Sequence, residues 1–150
     1  MADFKLPRLN KAALPITISS DAVPENFAAV QEKVRELLEP FSCSMRTLLE
    51  LDMIVEEVFI NIANYAYEDH KGLVRIDLSL DEDGRSLEMT FRDSGIPYDP
   101  LKKETPDLSS PAEQRAIGGL GIFLVQKYSD SLSYHYIDGE NRLTIRKKLF

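Results

Sequence analysis

The sequence predicts an α+β fold, a two-layer sandwich in which helices pack on one face of a mixed, mostly antiparallel sheet. Two pairs of segments alternate apolar and polar residues around short turns, which is typical of β-hairpins. Three other segments repeat apolar residues at helical spacing, two before the first hairpin and one between the hairpins. With 150 residues, of which 43% are hydrophobic, the chain fits a single domain over residues 1–150.

The first half of the chain predicts an arm, one strand and two helices. Residues 1–12 are polar and basic and are expected to form a loose arm, and a strand follows at about residues 14–19. Pro40 ends the first helix, since proline disrupts a helix interior. Ser44 can cap a longer helix over residues 45–67. The apolar residues of this second helix form one stripe, which we expect to face the core: Leu48, Leu51, Val55, Val58, Phe59 and Ile62.

The second half predicts two hairpins and a third helix. The segments LVRIDLSL and SLEMTF flank the turn sequence DEDG, and SLSYHYI and NRLTIRKKL flank a turn at Asp138 and Gly139. Between the hairpins, residues 93–117 contain four prolines and little periodicity, which indicates a long loop of the kind that is usually functional. The segment GGLGIFLVQKYSD then begins the third helix.

The composition excludes several classes of protein. Lys and Arg total 18 against 25 Asp and Glu, a net charge of −7, which argues against a nucleic-acid-binding surface. The one cysteine, Cys43, can form neither an intramolecular disulfide nor a structural zinc site. The first residues lack the apolar core of a secretion signal, and no segment is long and apolar enough for a membrane span. We therefore predict a cytoplasmic protein without nucleic-acid or membrane partners.

One face of the second helix carries four acidic or amide residues. If Glu57 is placed at zero on the helical wheel, Asn64 lies near about −20°, Glu50 near about 20° and Asn61 near about 40°. A solvated helix face would also be polar, but residues 47–68 contain no Lys or Arg, and ordinary exposed faces mix charges of both signs. Such oxygen ligands suit Mg²⁺. Glu57, one turn before Asn61, would place a general base beside a metal ligand.

Two further clusters contain glycine beside polar residues. In DSGIP, residues 93–97, Asp93 can accept a hydrogen bond at a strand end, and Gly95 permits a positive φ or close approach by a ligand. A simple turn would have the same sequence. GGLG, residues 118–121, follows Arg115 and begins the third helix, where free backbone N–H groups can bind phosphate. A hinge or tight turn explains GGLG equally well. It matches neither the P-loop nor the Rossmann pattern.

Taken in order, the three clusters resemble a known family. The segments EEVFINIANYAY, DSGIP and RAIGGLGIFLV are similar to the N, G1 and G2 boxes of the GHKL (Bergerat) ATP-binding fold. The resemblance extends over about residues 12–149 and points to the small anti-sigma-factor serine kinases. It implies a sheet of four or five strands, with ATP held between the helices and a lid.

The resemblance also implies roles for individual residues. Glu57 corresponds to the general base, Asn61 to the Mg²⁺ ligand, and Asp93 to the residue that binds the adenine amino group, with Gly95 giving the base room. The residues implied to contact the phosphates are Arg115, Gly118, Gly119, Leu120 and Gly121, and residues 100–117 correspond to the lid. This sequence departs from the family where Pro97 replaces a frequent glycine and Tyr65 replaces a histidine of some relatives, and Asn64 has no secure counterpart.

The function implied is that of a partner-switching kinase. Using ATP and Mg²⁺, it would bind a sigma factor in one state and phosphorylate a serine of a small antagonist protein in another. A homodimer is consistent with such relatives. The alternative is a catalytically silent module that binds nucleotide and sequesters a regulatory partner. The catalytic half of a histidine kinase is disfavoured, because no segment predicts a helical hairpin with a phosphoacceptor histidine.

Overall fold

The computed structural model describes residues 15–68, 71–82, 84–102 and 119–150. Its strands and helices follow the predicted order: β1 Ile16–Asp21, α1 Phe27–Leu38, α2 Met45–Tyr65, β2 Leu73–Leu80, β3 Ser86–Asp93, α3 Gly119–Tyr128, β4 Ser131–Ile137 and β5 Glu140–Lys148. The predicted arm over residues 1–12 and all of the predicted lid beyond Lys102 lie outside the described residues. Within the part that is described, no helix is long and apolar enough to cross a membrane.

The five strands form one sheet in the order β1-β2-β3-β5-β4. All four pairings of these described strands are antiparallel, so the sheet is not mixed there. β3 and β4 run in the same direction, because each of them is antiparallel to β5. However, β5 lies between β3 and β4, so these two parallel strands are not hydrogen-bonded to each other. The predicted two-layer α+β arrangement is confirmed.

The core lies between the inner face of the sheet and the helices. Ile76, Phe91 and Leu143 are opposite one another on β2, β3 and β5, and all three are buried. The predicted stripe of α2 packs against this face: Leu51, Val55, Val58 and Phe59 are buried, and Leu48 and Ile62 are partly buried. As predicted, Ser44 caps α2, since its Oγ accepts a hydrogen bond of 3.1 Å from the backbone N–H of Thr47.

A buried lysine joins α2, α3 and β5. The Nζ of Lys147 donates to Oε2 of Glu50 at 2.7 Å and to the carbonyl oxygen of Tyr128, the last residue of α3, at 2.7 Å. The Lys147 ammonium lowers the pKa of the Glu50 carboxyl. The lack of Lys and Arg over residues 47–68 therefore misled at Glu50, because Lys147 on a distant strand and Arg46, one turn earlier in α2, both supply cations to it. Glu50 stabilises the fold and does not belong to the functional stripe.

Replacing Lys147 with alanine is expected to lower the free energy of unfolding by about 1–3 kcal/mol, because Glu50 and the end of α3 each lose a charged hydrogen bond. Urea denaturation followed by circular dichroism measures the change. Lys148→Ala is the matched control, since this neighbouring side chain is exposed, and its effect should stay within about 0.5 kcal/mol. Equal stability of the two variants would show that the Lys147 contacts contribute nothing.

Candidate functional site

A cavity of about 460 Å³ lies between α2, the end of β3, α3 and β5. Its wall is largely apolar and contains a few polar side chains, as is usual for small-molecule sites. Two residues predicted from the sequence, Asn61 and Asp93, lie in this wall. The other lining residues are Val58, Ile62, Asn64, Tyr65, Ala66, Glu68, Phe91, Ile96, Tyr98, Pro100, Ile122, Val125, Tyr134, Asn141 and Leu143.

Asp93, the last residue of β3, is buried with 7% of its surface exposed. Its Oδ1 accepts hydrogen bonds from the backbone N–H of Gly95 at 3.0 Å and from Nδ2 of Asn141 at 2.9 Å. Among the described residues no donor reaches Oδ2. Burial raises the pKa of Asp93, and the two hydrogen bonds oppose that rise because they stabilise the ionised form. The cavity wall therefore presents one carboxylate oxygen that can accept a hydrogen bond from a ligand.

Gly95 is required by the packing of the loop after β3. The backbone N–H of Ile96 donates to the carbonyl oxygen of Ala66 at 3.0 Å, which brings this loop against the end of α2. A Cβ added to Gly95 would lie 2.6 Å from the Cβ of Ala66, closer than real carbon atoms approach. The close approach at Gly95 is thus made by Ala66 at the end of α2, and Gly95 does not adopt the positive φ that the sequence allowed. The room that Gly95 gives a ligand stays a prediction.

Glu57 lies against the first turn of α3, one helical turn from Asn61. A Cβ added to Gly121 would overlap Oε2 of Glu57 and lie 3.1 Å from its Cδ. Burial raises the pKa of the Glu57 carboxyl, and the charge of neighbouring Glu56 raises it further. Such a carboxyl is suited to take up a proton. Glu57 is absent from the residues that line the cavity and lies beside it.

Two of the other residues predicted to contact phosphate lie at the start of α3. Gly119 and Leu120 form the start of α3, as the sequence predicts for a helix beginning at GGLG. Arg115 and Gly118 lie outside the described residues. The phosphate-binding roles of these four residues therefore stay predictions.

Gly121→Ala is expected to displace either Glu57 or the start of α3, because the new methyl group would occupy the space of the carboxylate. Because that carboxylate ends a flexible side chain that can move aside, the melting temperature should fall by only a few degrees, corresponding to about 1 kcal/mol or less. Differential scanning calorimetry measures the change. Combining the substitution with Glu57→Ala removes the clashing partner and should restore most of the loss. A double variant whose loss equals the sum of the two single losses would contradict this contact.

Sequence reasoning missed Asn141, which contacts Asp93 from β5. The two residues are opposite each other in the register of β3 and β5. Nothing in one sequence pairs these strands, so only the known register could have indicated Asn141. Asn64 and Tyr65 also line the cavity, although no role was predicted for either.

The oxygen atoms of this site suit Mg²⁺ only when a phosphate-bearing ligand supplies further oxygens. No group of three or more His, Cys, Asp or Glu among the described residues could hold a metal ion. Mg²⁺ commonly binds one or two protein oxygens and completes its shell with phosphate oxygens and water. The Asn61 amide in the cavity wall fits that mode, in which one protein oxygen joins phosphate and water around the metal.

The sequence model described as histidine kinase-like ATPase domain matches residues 21–147. The chain belongs to this family.

Two relatives indicate which members of this family the chain resembles. The chain is 29% identical over 102 residues to the serine/threonine-protein kinase BtrW of Bordetella bronchiseptica, covering 68% of this chain and 71% of the relative. It is 24% identical over 138 residues to an anti-sigma F factor of Clostridium kluyveri, covering 92% of this chain and 94% of the relative. The resemblance to GHKL anti-sigma-factor kinases is therefore confirmed.

A solved structure shares the fold. The crystal structure of the RsbU and RsbW domains of Rv1364c from Mycobacterium tuberculosis superposes with a TM-score of 0.64 at 16% identity. The alignment covers 90% of this chain and 32% of the solved chain, so this protein spans about a third of that one.

Proposed function

We propose that this protein is an ATP-dependent serine/threonine kinase of the partner-switching type, which binds a sigma factor and phosphorylates a serine of a small antagonist protein. The relatives that are named serine kinases and anti-sigma factors support this proposal. The observation that carries it is the meeting of three sequence clusters. Asn61 and Asp93 line one cavity, and Glu57 lies beside it against Gly121.

In this proposal the cavity binds the purine base of ATP. Oδ2 of Asp93 accepts a hydrogen bond from the exocyclic amino group of adenine. Apolar side chains such as Ile96 and Leu143 pack against the base and exclude water from it. Gly95 contributes by letting the loop close against α2, which shapes this end of the cavity.

The phosphates would extend toward the start of α3. There the backbone N–H groups of Gly118, Gly119, Leu120 and Gly121 and the side chain of Arg115 are the proposed contacts. The Asn61 amide oxygen is the proposed protein ligand of Mg²⁺. When bound, the metal neutralises phosphate charge during transfer. Glu57 takes the proton of the attacking serine hydroxyl, a role that its raised pKa favours.

A second candidate is the silent module that binds nucleotide and sequesters a partner without phosphorylating it. One observation favours this second candidate: Glu57 is not among the residues that line the cavity.

Incubation with γ-labelled ATP, Mg²⁺ and a candidate antagonist encoded beside this gene separates the two functions. Label on a serine of the antagonist supports the kinase. Calorimetric ATP binding without label supports the silent module, and absence of ATP binding contradicts both. The proposal also includes a homodimer and a cytoplasmic location. Light scattering on the same preparation tests the homodimer, because it measures the mass of the protein in solution.

A further inference from the structure

The side-chain amide of Asn141 uses all four of its hydrogen-bonding positions. Nδ2 donates to Oδ1 of Asp93 and to the carbonyl oxygen of Ile96, both at 2.9 Å. Oδ1 accepts from the backbone N–H of Tyr98 at 3.0 Å and from the hydroxyl of Tyr134. Only 7% of Asn141 is exposed, so water does not compete for these bonds.

The orientation of this amide is determined by its neighbours. The backbone N–H of Tyr98 can only donate, and the carbonyl oxygen of Ile96 can only accept. If the amide were flipped, its NH₂ group would face the N–H of Tyr98 and its oxygen would face the carbonyl oxygen of Ile96, so neither hydrogen bond could form. The NH₂ group of Asn141 therefore points at Asp93 whatever the protonation state of that carboxyl.

Two N–H donors thus converge on one oxygen of Asp93, one from Asn141 and one from Gly95. They occupy Oδ1 as an acceptor and favour the ionised carboxylate, against the effect of burial. The carboxylate plane is held by these bonds, and Oδ2 is left to face a ligand as an acceptor.

We propose that Asn141 is a positioning residue that holds Asp93 as a hydrogen-bond acceptor and thereby sets the preference of the cavity for a 6-amino purine over a 6-oxo purine. This inference rests on the proposed nucleotide binding. A 6-amino purine donates an N–H toward an ionised Asp93. A 6-oxo purine places an oxygen there, and it is accepted only if Asp93 carries a proton and donates it.

Asn141→Asp replaces the NH₂ group, which donates to Asp93 and to the carbonyl oxygen of Ile96, with a second carboxyl oxygen. The new carboxyl keeps an acceptor for Tyr98 and Tyr134, but it removes the donor to Asp93 and brings a second acid beside it. The two acids then share a proton, because like charges at this distance cannot both ionise. Asn26→Asp is the matched control, since Asn26 precedes α1, is not among the residues that line the cavity, and undergoes the same change of charge.

The measurement is the dissociation constant of ATP and of inosine triphosphate, each with Mg²⁺, by calorimetry. We expect the preference of the wild type for ATP to fall by about tenfold in Asn141→Asp and to persist in Asn26→Asp. If both nucleotides weaken equally in Asn141→Asp, or if the wild type shows no preference, the inference is wrong.

A second variant covers failure of the first to fold. Asn141→Ser removes the amide without adding charge, and the preference should fall in the same direction; an unchanged preference overturns the inference. If the wild type prefers ATP and both variants keep that preference, the role of Asn141 is refuted and the proposed nucleotide binding stands. A wild type that binds neither nucleotide refutes the proposed function and this inference together.

Discussion

Replacing Glu57 with glutamine is expected to slow phosphoryl transfer from ATP by about a hundredfold or more, the usual contribution of a general base. Glutamine is nearly isosteric, so the contact with Gly121 is kept, but it cannot take the serine proton. The affinity for ATP should change by no more than about threefold, since Glu57 lies outside the cavity wall. Single-turnover transfer and calorimetry measure the two quantities.

Glu56→Gln is the matched control for Glu57→Gln. Glu56 is exposed on the same helix, and its charge is the second cause of the raised pKa of Glu57. The rate of this variant at neutral pH should stay near that of the wild type. The rate of transfer should fall as the pH drops through the raised pKa of Glu57, because the protonated carboxyl cannot act as a base. This acid limb of the pH–rate profile should move to lower pH in Glu56→Gln, since the charge that helps to raise the pKa of Glu57 is removed. A limb that moves to higher pH, or a fast Glu57→Gln enzyme, would contradict the assignment of the base.

Replacing Asp93 with asparagine is expected to weaken ATP binding by about tenfold to a hundredfold, the worth of a charged hydrogen bond. The side chain still accepts from Gly95 and Asn141 through its oxygen. Its NH₂ group then faces the amino group of adenine, donor against donor. Asp77→Asn is the matched control, because Asp77 lies on the opposite face of the sheet and pairs with Arg92 at 2.7 Å. Calorimetry with ATP and Mg²⁺ should show a normal affinity for that control.

The stability of Asp93→Asn separates a binding defect from an unfolding defect. Burial raises the pKa of Asp93, so the folded wild type holds this proton more tightly than the unfolded chain. The stability that comes from the protonated form is present at low pH and is lost as the pH rises through the raised pKa. The ligand-free variant should therefore be at least as stable as the wild type at neutral pH. A large loss of stability there would attribute the weaker binding to unfolding.

The sequence predicted the elements well because their signals are local. The alternation of SLEMTF, the Ser44 cap and the apolar stripe of α2 each depend on a few neighbouring residues, and each is found where it was expected. The turn at Asp138 and Gly139 is also present, with both residues at positive φ, as a hairpin turn of type I′ requires. The order of the three clusters was enough to indicate the family.

Contacts between distant segments were beyond such reasoning. Glu50 shares a helix face with Glu57, yet Lys147 binds it from a strand 97 residues away. Asn141 reaches Asp93 only because β5 is inserted between β3 and β4. Neither pairing has a pattern within its own segment. The polar stripe therefore predicted Asn61 as part of the cavity, wrongly grouped Glu50 with it, and gave no indication of Asn141.

The most direct measurement is a crystal structure of the protein with a non-hydrolysable ATP analogue and Mg²⁺. We predict that the purine fills the space between Asp93 and Leu143, with its amino group bonded to the carboxylate, and that the metal binds the amide oxygen of Asn61. A nucleotide bound elsewhere on the protein, or one in this cavity with its base directed away from Asp93, would contradict the account.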